Sequence, residues 1–164
     1  MIDLEAIREN SGLTLSADGV FLLHGVPVEN PKVQELFSKG LEVRDDGRTL
    51  LRVGAQWCYV APEDTSIIVV GVTESAGAVV VRLNDYTRET LAADTLVLSL
   101  QGVLYARVKG KSVLARFGRN AYHQMITTWC SVEEDDSGEF RMVWKNTGVF
   151  LPIIDRTQTA EVVV

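Results

Sequence analysis

The chain has 164 residues, 46% hydrophobic and 23% charged, the balance of an ordinary folded domain with enough apolar surface for a core. Sixteen Lys and Arg against 22 Asp and Glu give a formal charge of −6. That charge repels phosphate backbones and anionic lipid heads, and no dense Lys/Arg run offsets it, so neither nucleic acid nor a membrane surface is an expected partner.

Met1-Ile2-Asp3-Leu4-Glu5 has no basic region and no long apolar run, which predicts no signal peptide and a bacterial cytoplasmic location. A short helix is expected from Asp3 to Glu9, with Leu4 and Ile7 on one side, as an arm over residues 1–11 that needs docking to persist. Thr14 to Gly19 reads as a turn ending in Asp-Gly, and Val20 to His24 as a strand stopped by Gly25 and Pro27. Pro31 to Lys39 carries every helix signal. Asn30 is placed to cap it, Pro31 suits the first position, and Val33, Leu36 and Phe37 share a face. Gly40 stands where a left-handed residue ends a helix.

Strands follow. Leu41–Arg44 and Thr49–Val53 form a hairpin across Asp45-Asp46-Gly47-Arg48, and Gln56–Val60 comes next. Ser66–Val72 is almost wholly apolar, which predicts a strand covered on both faces. Ala78–Leu83 and Thr95–Leu100 are further strands. In Gly102–Phe117 a two-residue Gly110-Lys111 turn of type II′ sets the register. Val108 then faces Val113, Ala106 faces Ala115 and Leu104 faces Phe117 on an apolar side. Tyr105 with Arg116 and Arg107 with Leu114 occupy the other side, expected to be wet.

A second helix, Arg119–Cys130, buries a stripe of Ala121, Tyr122, Met125, Ile126, Trp129 and Cys130 and leaves His123 wet. The acidic turn Glu133–Gly138 leads to a last strand, Glu139–Lys145. Asn146-Thr147-Gly148 then turns the chain, and the residues from 154 to 164 form a tail ending in Val162-Val163-Val164. The expected fold is α+β and strand-rich, with two main short helices on a mostly antiparallel curled sheet or partly open barrel. It occupies residues 12–153 as one domain, or as two lobes that share a core and divide near 60–75.

Two segments resemble an uncharacterised bacterial family, domain of unknown function 1285. The first runs from Asp18-Gly19-Val20-Phe21-Leu22-Leu23-His24-Gly25-Val26-Pro27-Val28 through Val33-Gln34-Glu35-Leu36-Phe37 to Asp45-Asp46-Gly47. The second joins Tyr105-Ala106-Arg107-Val108, Leu114-Ala115-Arg116-Phe117 and Ala121-Tyr122. The resemblance implies a compact bacterial fold of consecutive strand-rich lobes, and it implies no activity.

The chemistry-bearing residues are sparse. The two cysteines, Cys58 and Cys130, sit in apolar surroundings and read as reduced, buried thiols. With two histidines and no Cys-x-x-Cys or His-x-x-x-His, neither a metal site nor a cofactor is expected. No phosphate-binding glycine motif occurs, and no catalytic set is assigned. The candidate ligand-binding residues are Tyr105, Arg107 and Arg116, whose guanidinium groups suit a carboxylate or phosphate, and His24 at a strand end. The leading expectation is a non-catalytic binding module for a small anionic ligand or peptide. The alternative is a structural or regulatory interaction protein that forms a homo-oligomer. An enzyme with dispersed catalytic residues, such as His24 or Cys58 beside a carboxylate, ranks below both.

Overall fold

The computed structural model describes residues 4–145 and 147–156. The Val162-Val163-Val164 tail and Asn146 lie outside the described residues. The chain divides into two compact units, Met1–Ile68 with Leu83–Thr87, and Val69–Arg82 with Arg88–Val164.

The first unit contains α1 (Leu4–Glu9), β1 (Leu13–Leu15), β2 (Phe21–Leu23), β3 (Val26–Pro27), α2 (Pro31–Lys39), β4 (Leu41–Val43), β5 (Thr49–Val53) and β6 (Gln56–Pro62). Its strands form one sheet in the order β3-β2-β1-β6-β5-β4. All neighbours are antiparallel except β1 and β6, which run parallel with Thr14 beside Ala61. Alternation puts Leu13, Leu15, Phe21, Leu51 and Val60 on one face, and all five are buried.

Helix α2 covers part of that face, its Phe37 ring edge-on to Phe21 at 5.4 Å. Asn30 caps it by accepting from the Lys32 N–H at 2.9 Å. Gln34 stitches it to the sheet: its side chain accepts from the Phe21 N–H and donates to the Phe21 and Val28 carbonyls at 2.8–2.9 Å. Two expectations change here. Leu36 is 49% exposed, so Val33 and Phe37 are what face inward. Gly40 has φ −90°, not a left-handed value. Its lack of a Cβ serves close packing, because the β5 backbone at Arg52 passes where a side chain would stand.

Thr14 and Leu15 are strand rather than turn; the turn is confined to 17–19. Leu15 is fully buried, so tertiary packing overrides the local turn signal.

The second unit takes up β7 (Ile67–Ser75) and β8 (Ala78–Leu83), whose inner ends belong to the first. It adds β9 (Arg88–Thr90), β10 (Leu96–Ser99), β11 (Leu104–Val108), β12 (Val113–Phe117), α3 (Arg119–Trp129), β13 (Cys130–Glu134), β14 (Phe140–Trp144), β15 (Val149–Phe150) and β16 (Ile153–Ile154). One sheet has the order β16-β10-β11-β12-β7-β8-β9 and another β13-β14-β15. Glu133 and Glu134 belong to β13 rather than to a loop, because they pair with Arg141 and Phe140. Ala121, Met125 and Cys130 are buried and His123 is exposed, as the helical stripe requires. The fold is therefore α+β and strand-rich, with open, mixed sheets that do not close into a barrel.

Candidate functional site

The β11–β12 hairpin has the expected register, with Tyr105 opposite Arg116, Ala106 opposite Ala115, Arg107 opposite Leu114 and Val108 opposite Val113. Its turn differs from type II′, since Lys109, Gly110 and Lys111 all have positive φ, from 56° to 69°. A type II′ turn needs only its first central residue there. The Glu89 carboxylate accepts from the Lys109 N–H, and Ser112 Oγ donates to the Lys109 carbonyl, which together hold the tighter path.

The expected wet face is not wet at Tyr105. Tyr105 is 3% exposed and packs with Val97 and Ile154, flanked by Val103 and Leu114. The cause is β16, which pairs parallel with β10 and brings Ile154 onto that side of the sheet. The Arg156 guanidinium then lies 5.1 Å from the Tyr105 ring centroid. Arg107 and Arg116 stay on this face, half-buried.

His24 sits in a different place. It occupies the tight β2–β3 turn with φ 50°, followed by Gly25 at 81°, the pattern of a hairpin turn that needs two left-handed residues. Its N–H donates to the Gly12 carbonyl at 2.8 Å. Its imidazole lies across Gly12, where any Cβ would overlap the ring. His24 and Gly12 are thereby two walls of a cleft of about 420 Å³ in the first unit, completed by Glu9, Ser11, Thr14, Arg48, Tyr59 and Ala61.

The far wall of this cleft comes from the β4–β5 hairpin. Arg44 donates its N–H to the Arg48 carbonyl at 2.8 Å, the Gly47 N–H returns to the Arg44 carbonyl at 2.9 Å, and Asp46 accepts from the Arg48 N–H at 3.0 Å. These bonds fix both arginines at the mouth of the turn. The Arg48 guanidinium lies 3.4 Å from the centroid of the Tyr59 ring, a close cation–π contact, and Arg44 Nη1 donates to the Tyr59 hydroxyl. Arg48 also grips Glu9 through two parallel bonds, Nη1 to Oε1 and Nη2 to Oε2, each 2.8 Å. These bonds hold the Glu9 carboxyl below its usual range and raise Arg48. The cleft thus presents a forked guanidinium, already paired with a carboxylate, beside an imidazole and the hydroxyl-bearing Ser11, Thr14 and Tyr59.

Sequence reasoning reached His24 but missed Glu9, Arg44, Arg48 and Tyr59. The Asp45–Arg48 turn was legible and places Arg44 across from Arg48. What the sequence withheld is that β6 puts Tyr59 beneath them and that α1 ends at Arg48.

On the opposite face of this sheet runs an apolar groove of about 550 Å³, lined among others by Leu23, Val33, Phe37, Leu51, Trp57 and Cys58. His24 and Cys58 therefore line different clefts and do not form a nucleophile–base pair. Both cysteines are free thiols. Burial pushes the Cys130 thiol up to about 11, leaving roughly one in a thousand as reactive thiolate at pH 8. Iodoacetamide is expected to label the half-buried Cys58 first and to reach Cys130 only on unfolding, as read by peptide mass spectrometry. Among the described residues no group of three His, Cys, Asp or Glu side chains is placed to hold a metal ion. No helix among them is long and apolar enough to cross a membrane.

Comparison with known proteins finds the fold and no more. No family model matches the chain, and no curated protein does. Among solved structures, a DUF1285 family protein from Silicibacter pomeroyi superimposes with a TM-score of 0.62 at 15% identity, over 90% of this chain and 81% of the other. A DUF1285 family protein from Shewanella baltica gives 0.56 at 17% identity, over 72% of this chain and 92% of the other. The chain has the fold of these DUF1285 family proteins, in line with the resemblance in its segments.

Proposed function

We propose that the chain is a non-catalytic binding module for a small anionic ligand, received in the polar cleft of the first unit. One observation carries this reading: the Arg48 fork, stacked on Tyr59, already holds a carboxylate. In a chain of net charge −6, Arg48 and His24 line this cleft and Arg44 adjoins it through the Tyr59 hydroxyl, which gathers groups suited to an anion at one place. The reading places the protein in a bacterial cytoplasm, supported by its two free thiols and by the bacterial sources of both structural neighbours.

Thermal shift with succinate, inorganic phosphate and an uncharged diol tests it. Saturating anion, at about 100 times its Kd, adds about 2.7 kcal/mol and raises Tm by roughly 5–11 °C. Arg48→Ala is expected to remove the shift and Arg116→Ala to keep it. The opposite pattern would move the site to the sheet face that carries Tyr105, Arg107 and Arg116. No shift with either anion would end the proposal.

A further inference from the structure

The polar cleft contains a carboxylate of its own, at the end of a short helix with no buried residue. Helix α1 has six residues, too few to persist alone, and none of them is buried. Leu4 and Ile7, the apolar side of that helix, are 59% and 58% exposed. Among its side-chain ties to the sheet are Glu9 on Arg48, Arg8 at 4.1 Å over the Trp57 ring, and Ile7 at the rim of the apolar groove, and just beyond it Ser11 Oγ donates to the Tyr59 carbonyl at 2.7 Å. Arg48, in contrast, has holds besides Glu9. Tyr59 lies under its guanidinium and Asp46 holds its backbone.

We propose that Glu9 is the internal stand-in for the ligand, and that the ligand is a carboxylate which takes both Arg48 bonds and releases α1. This rests on the polar cleft being the binding site. The geometry names the chemical class: two parallel N–H···O bonds of equal length are the match of a planar guanidinium to a planar carboxylate. The two partners differ in how they are held, Arg48 by the Tyr59 ring and its hairpin and Glu9 by a six-residue helix with no buried residue. The Glu9–Arg48 pair is exposed on both sides, and such pairs hold weakly. Tethering still makes Glu9 an effective competitor, because it is always at the site. The apparent affinity of an incoming carboxylate is scaled down to the fraction of molecules in which Arg48 is free of Glu9.

Calorimetric titration of succinate and of inorganic phosphate into the wild type, Glu9→Gln and Arg48→Ala decides the matter. The amide exchange of Asn10, whose N–H donates to the Ala6 carbonyl at 3.0 Å in the last turn of α1, is followed alongside. Glu9→Gln is expected to bind succinate ~3–10-fold tighter than the wild type, by removal of the competitor. Succinate is expected to speed Asn10 exchange in the wild type, whereas in Glu9→Gln exchange is fast from the start. Succinate binding to Glu9→Gln alone also supports the proposal. Equal or weaker binding by Glu9→Gln, with the wild type still binding through Arg48, overturns the stand-in role and leaves the binding module standing. Phosphate bound in preference to succinate overturns the carboxylate assignment. Failure of all variants to bind either anion removes both readings.

Discussion

Replacing Gly40 by alanine is expected to destabilise the protein by about 3 kcal/mol, the upper range for forcing atoms into a packed site. The backbone there has φ −90° and ψ 0°, a sparsely populated region that alanine still reaches, so the penalty is mainly steric. An added Cβ overlaps the Arg52 carbonyl oxygen and meets Leu51 Cδ1 at 3.0 Å. Neither neighbour can give way. Arg52 is pinned by its own N–H, which donates to the Gly40 carbonyl at 2.9 Å, and Leu51 is buried. For a chain of this size the loss corresponds to a Tm lowered by roughly 6–12 °C. Gly54→Ala is the comparison. It has open space around it and a left-handed φ of 62°, so it isolates backbone strain at about 1 kcal/mol. If thermal denaturation shows Gly40→Ala no worse than Gly54→Ala, close approach is not why glycine stands at 40.

The second large effect is expected at Asn84, a buried polar side chain that acts as a piece of backbone. Its Oδ1 accepts from the Ile68 N–H at 2.9 Å, its Nδ2 donates to the Ser66 carbonyl at 3.1 Å, and its own N–H donates to the Ile68 carbonyl at 2.9 Å. Asn84→Leu leaves a donor and an acceptor buried without partners, at about 1–3 kcal/mol each, for a total of about 2–6 kcal/mol by denaturant titration. Asn84→Asp adds a test of sign. Burial and the Ser66 carbonyl that Nδ2 faces favour the protonated acid in the folded state, so its folded pKa is expected above the unfolded value near ~3.9. Stability of that variant is then fullest below the unfolded pKa and falls as pH climbs through the folded one. Stability that instead stayed flat across that range would show that the side chain at 84 turns outward to water.

What the sequence displayed was local chemistry. The α2 cap, the α3 stripe and the β11–β12 register each depend on residues within about twenty positions of one another, and each is as read. The departures come from distant partners. Thr14 and Leu15 read as turn because nothing nearby reveals β6, the strand they lie beside. Tyr105 read as wet because its cover, Ile154, arrives on a strand almost fifty residues later. The same reasoning separates the two site assignments. His24 was visible as a polar residue at a turn, whereas the Arg48–Tyr59 pair needs β6 and the β4–β5 hairpin together before it exists, and its Glu9 partner needs α1.

The parallel union of β1 with β6 also imposes a timetable. On a ribosome adding about 5–20 residues per second, β1 to β3 leave the tunnel seconds before the strand that carries Ala61 does. Through that interval one side of β1 offers its unpaired backbone to any passing strand, and Leu13 and Leu15 have no finished core to enter. The nascent chain is therefore most exposed to misassembly before its sixth strand leaves the tunnel, and a synonymous change that slows decoding between α2 and β6 would lengthen that exposure without altering a single atom of the finished protein.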